Sequence, residues 1–147
     1  MVWLGHGYGS LSTARSASIG SERRPDKPFD EAFFRGAKEA VGDVGVLPRK
    51  HQAMIERYLV DLHGMISEVA RVMRAGAEAT FVMGNSCLKG VYIQNSEALA
   101  AVARDVGLTL SSRAERDLPS QHRYLPTPAM GALGKRMRKE IILTFAK

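Results

Sequence analysis

Between Lys50 and Arg74, six apolar residues recur at steps of four and three: Ile55, Leu59, Leu62, Ile66, Val69 and Met73. That spacing is one face of an α-helix. Glu56, Arg57, Asp61, Glu68, Arg71 and Arg74 occupy the other face, and Gly76 stands where a helix-ending glycine belongs. A helix with one long apolar stripe must bury it against a second layer. The rest of the chain therefore has to supply that layer, and the pattern predicts a scaffold helix packed on a sheet.

The sheet is legible downstream. Thr80-Phe-Val-Met83 is a short apolar run fit for a buried strand, and Gly84-Asn-Ser follows it. Leu88–Gln94 reads as an irregular connection. Ser96 then caps a helix reaching Asp105, with Leu99, Val102 and Ala103 inward and Glu97 near its positive end. Gly107 ends it. Leu108–Arg116 starts with alternating leucines and turns polar, as expected of a strand near a sheet edge, and Glu140–Phe145 is a second clear strand. Asp117–Lys139 is too polar and too rich in Pro and Gly for a core element.

The order helix, strand, helix, strand, long loop, strand predicts an α/β domain. A strand–helix–strand unit gives parallel pairing with a right-handed crossover. A final strand reached without a helix is expected to run antiparallel, as the tail of a mixed sheet. Residues 79–147 would then end an α/β sheet, with the loop Asp117–Arg138 on its ligand side.

Upstream, Asp30–Val41 reads as a short helix capped by Asp26 or Asp30 and broken by Gly42–Pro48. Residues 1–29 read as loop-like or poorly packed. Gly5-His-Gly-Tyr-Gly9 superficially resembles a cofactor loop, in which glycines let the backbone approach a ligand at a helix N-terminus. Only four residues precede Gly5, too few for the strand that would position it. At 147 residues the chain fits a single domain.

The formal charge of +6, with an isoelectric point near 9.8, favours a polyanionic partner such as nucleic acid. Cys87 is the only cysteine, so no internal disulfide is available, which suits a reducing, cytoplasmic setting. His6, His51, His63 and His122 share no metal-ligand spacing. No signal-peptide pattern is read at the N-terminus, and no apolar run has the ~18–20 residues of a membrane span.

The run Phe81-Val-Met-Gly-Asn-Ser86, the helix Asn95–Gly107, Arg123-Tyr-Leu-Pro126 and Leu133-Gly-Lys-Arg-Met-Arg-Lys-Glu-Ile-Ile-Leu143 resemble, as an ordered series, the C-terminal half of certain DNA methylases. These are class I S-adenosylmethionine-dependent enzymes that methylate exocyclic amino groups of adenine or cytosine, with RNA-modifying relatives. The resemblance is strongest over 80–147. Val2-Trp-Leu-Gly5 with Arg15–Ser21 looks like the segment just after the catalytic loop. It implies a partial Rossmann-like methyltransferase sheet, with S-adenosylmethionine as the family's cofactor.

Two departures limit what carries over. Methylases of this kind bind the cofactor with a glycine-rich loop after their first strand and react through a Pro-Pro-Tyr or Pro-Pro-Phe loop. Neither is present here. The expectation is a truncated or split methyltransferase-like protein supplying the substrate-side half, without catalytic residues of its own and with no cofactor binding when isolated. A complementary methyltransferase half would be its partner. The competing expectations are a non-catalytic, basic nucleic-acid-binding module and an inactive remnant.

Open α/β sheets bind ligands outside the carboxyl ends of their strands. Asn85, just past the strand at 80–83, is therefore a candidate for a base edge, its amide both donating and accepting. The alternative is a turn residue. Arg123 and Tyr124 combine a cation with an aromatic ring, the pair that holds a phosphate and stacks a base. The alternative for Tyr124 is a lid tucked under the sheet. Lys135, Arg136 and Arg138, with Lys139, form a basic cluster suited to a phosphate backbone or simply to solvent. His122 has no partner that would make it an acid or base.

Overall fold

The computed structural model describes residues 5, 8–16, 18, 31–119 and 139–147. It is a mixed α/β fold with four helices and antiparallel sheets among those residues. Helix α1 (Tyr8–Ser16) forms where the sequence reads as loop, and its described side chains are almost all exposed. Helix α2 (Glu31–Val41) matches the expected segment. Its proposed caps, Asp26 and Asp30, lie outside the described residues.

Gly42 follows α2 at φ +118°, a left-handed conformation open to glycine. A Cβ there would come within 3.0 Å of the Tyr92 carbonyl oxygen, so the absence of a side chain also permits close approach of backbone. A short 3-10 turn at Val44–Val46 leads into helix α3 (Arg49–Val72). Pro48 precedes the first turn of α3, and its carbonyl accepts from the His51 and Gln52 N–H groups. Gln52 Nε2 donates back to the Leu47 carbonyl at 2.7 Å, fixing the entry angle.

The buried stripe of α3 is Ile55, Leu59, Leu62, Ile66 and Ala70. The helix stops two residues short of Arg74, and Met73 is already extended. Ala70 rather than Val69 therefore completes the stripe. Lys38 and Glu56 pair at 3.2 Å between α2 and α3, and Arg57 and Asp61 pair at 2.8 Å along α3.

Strand β1 (Glu78–Gly84) leads through Asn85 into a small hairpin, β2 (Ser86–Leu88) and β3 (Val91–Ile93). Helix α4 (Asn95–Asp105) follows, ending before Gly107 at φ +85°, then β4 (Thr109–Asp117) and β5 (Lys139–Ala146). The three-stranded sheet has the order β1–β5–β4, and β5 is antiparallel to both neighbours. The two outer strands thus run the same way, joined by the α4 crossover, but they do not pair directly as expected. The closing strand lies between them. A bulge at Ser111 interrupts the β4–β5 register.

The hairpin corrects the irregular connection expected at 88–94. Lys89 and Gly90 both have positive φ, 49° and 86°, which gives the two-residue turn whose twist matches flanking antiparallel strands.

Alternation along β5 divides the sheet into two faces. Ile141, Leu143 and Phe145 are buried and share one continuous core with α2, α3 and α4, including Val41, Leu59, Ile66, Leu99 and Val102. Phe81 and Met83, opposite Leu143 and Ile141, pack against the same core, and the Phe81 ring meets Phe145 edge-on at 6.1 Å between centroids. Removing each such large side chain from water stabilises the fold by roughly 1.5–3 kcal/mol. The opposite face carries Thr80, Val82, Ser112, Ala114, Ile142 and Thr144. Val82 is 54% exposed.

No helix among the described residues is long and apolar enough to cross a membrane.

Candidate functional site

The register puts three strand ends at one edge of the sheet. Gly84 ends β1 opposite Glu140, which faces Arg116, while Asp117 ends β4 opposite Lys139. The chain leaves this edge at Pro119 and returns to it at Lys139. The hairpin β2–β3 and the first turn of α4 adjoin the same edge through Asn85.

Asn85 is the predicted site residue that the structure describes, and its contacts are internal. Its Oδ1 accepts from the Ser96 backbone N–H at 3.0 Å and from Ser96 Oγ at 3.1 Å. Its Nδ2 donates to the Tyr92 hydroxyl at 3.1 Å. The first N–H groups of a helix have no intrahelical acceptor, so Asn85 meets part of that need for α4 from another element. Ser96, expected to cap the helix, instead lies in its first turn, fully buried, as the group being capped. Asn95 Nδ2 donates to the Gly84 carbonyl at 2.9 Å, tying the helix start to the strand end.

The edge is charged, and its charges are locally compensated. Arg116 pairs with Glu140, and Lys139 Nζ lies 2.8 Å from Glu115. The hydrogen bond from Lys139 holds the Glu115 carboxyl below its ordinary range, and the same bond raises Lys139. On the covered side of β4, Arg113 reaches Glu97 of α4 at 2.7 Å, and that hydrogen bond raises the guanidinium further.

Arg123, Tyr124, Lys135, Arg136 and Arg138 lie outside the described residues, as does His122. Tyr92 was not singled out by the sequence reading, yet the structure brings it onto Asn85. The residue is 41% exposed. The signal that could have found it is Val91-Tyr-Ile93, a β-branched, aromatic, β-branched triplet after a glycine turn. Among the described residues, no group of three or more His, Cys, Asp or Glu is arranged to hold a metal ion.

Comparison with protein-family models, with curated proteins and with solved structures found no match.

Proposed function

We propose that residues 78–147 are the substrate-side part of a methyltransferase-like sheet, and that the chain serves S-adenosylmethionine-dependent amino methylation of a nucleic acid. The observation that carries this reading is the strand order. A strand, a crossover helix and a second strand running the same way, with an antiparallel strand closing the sheet between them, support the reading. The ordered resemblance of Phe81–Ser86, Asn95–Gly107 and Leu133–Leu143 adds to it. The strand ends at Gly84 and Asp117 deliver the chain to the edge where such sheets bind ligands.

The cofactor loop and the Pro-Pro-Tyr loop are not among these 147 residues. Their chemistry is therefore assigned to other polypeptide, a complementary methyltransferase half, and the chain's own share is to receive the substrate. Titration calorimetry of the chain with S-adenosylmethionine is expected to give no binding heat, and binding at micromolar cofactor overturns the division of labour. Methyl transfer to an oligonucleotide when a cofactor-binding half is supplied is the positive test.

The charge of +6 favours a second reading, a basic nucleic-acid-binding module without catalysis. Both readings expect binding that weakens with salt and on changing Arg123, Arg136 and Arg138 to Ala. Methyl transfer in the supplied system separates them.

A further inference from the structure

We infer that Tyr92 is a stacking platform for one unstacked base of a single-stranded nucleic acid, with Lys89 at the adjoining turn facing the phosphate. The inference rests on the nucleic-acid reading above and names a subsite within it. An exposed aromatic ring stacks usefully when it is already held in place, because ordering a free side chain costs entropy.

Tyr92 is held from three directions. Its hydroxyl accepts from Asn85 Nδ2 at 3.1 Å, and Asn85 is itself fixed by two hydrogen bonds from Ser96. Its strand is tied to its neighbour by the register Cys87↔Tyr92 and Leu88↔Val91. Its carbonyl oxygen lies so near Gly42 that a Cβ there would sit only 3.0 Å away, and two residues on, Gln94 donates its N–H to the Val41 carbonyl at 2.8 Å. Tyr92 nonetheless remains 41% exposed.

The hairpin also carries a cation. A turn with positive φ at both central residues favours Asn or Gly, and Lys89 at φ 49° is uncommon for a long side chain. The result is an exposed cation at the tip of a two-stranded ribbon that carries an exposed ring, beside the carboxyl end of β1. Ring and cation together are the elements by which proteins hold single strands: the base stacks and the backbone is neutralised.

The test uses the 147-residue chain and a single-stranded oligonucleotide carrying one 2-aminopurine, whose fluorescence is quenched on stacking. Quenching is expected on binding. Tyr92→Phe, which keeps the ring, should retain it. Tyr92→Leu, which keeps apolar bulk without a π-face, should abolish quenching and weaken affinity about tenfold. Lys89→Ala should reduce the salt dependence by about one phosphate contact. Circular dichroism and the Phe variant together guard against a folding defect. If the oligonucleotide binds in a salt-dependent way but Tyr92→Leu binds and quenches like the parent chain, the Tyr92 assignment is overturned and the nucleic-acid reading stands. If no oligonucleotide binds at low salt, that reading falls, and the stacking site with it.

Discussion

The two faces of the three-stranded sheet are built from the same strands and meet different surroundings. On one face, Ile141, Leu143 and Phe145 are sealed under helices; on the other, Ile142 and Thr144 alternate with them, flanked by Val82 and Ala114. A strand has a side-chain period of two, so a single segment writes both faces at once. Adjacent residues of β5 thus have opposite energetic weight: the covered face supplies the hydrophobic drive, while the open face supplies strand propensity and a hydrogen bond between Thr80 and Thr144 at 2.9 Å.

The widest separation should come from Leu143→Ala against Ile142→Ala. Leu143 is fully buried, and its truncation should cost about 3 kcal/mol in urea denaturation. Ile142, half-buried on the open face, should cost about 1 kcal/mol. Equal costs would mean that the second face is covered in solution.

Tyr58 sharpens the covered side through pH. Burial pushes its phenol up to about 12 from an ordinary 10.0. Below pH 10 both folded and unfolded chains hold the proton, and the full stability is present. Between about pH 10 and 12 the unfolded phenol ionises while the folded one does not, so stability should fall with rising pH by roughly 2 kcal/mol. Tyr58→Phe should flatten that part of the profile, and an unchanged alkaline slope would assign it to other groups.

A smaller effect tests how α4 is seated on the sheet. Asn85→Ala removes the acceptor for Ser96 and should cost about 1 kcal/mol. Asn85→Asp keeps that acceptor near the helix N-terminus and should recover most of the loss in thermal melts. Smallest of all, Val82→Thr on the open face should change stability by no more than about 0.5 kcal/mol. A larger loss would again point to a covering partner.

What the sequence made legible follows from how local each signal is. The stripe of α3 (with Ala70 in place of Val69), the inward residues of α4 and the strand at 140–145 depend on neighbours within one element, and they appear where the sequence puts them. The antiparallel sense of the last strand was also readable, because no helix precedes it. Its insertion between β1 and β4 was not, since the pairing Thr80↔Thr144 spans 64 residues and leaves no local trace. The hairpin escaped because its strands are three residues long and its turn is Lys-Gly rather than Asn-Gly. Asn85 was chosen for its place at a strand end, which the structure keeps. Its role as the acceptor for Ser96, eleven residues on, depends on a tertiary contact that no spacing encodes.

The central position of β5 also has a bearing on synthesis. A ribosome makes β1, α4 and β4 before the strand that joins them exists, so neither outer strand has a ladder partner in this sheet until residues 139–146 have emerged. Until then the backbone groups of both outer strands are open to wrong partners. Assembly of the sheet is thus deferred until residues 139–146 are made, and a chain that stopped before Lys139 would lack β5 altogether, leaving two strands with nothing to bridge them.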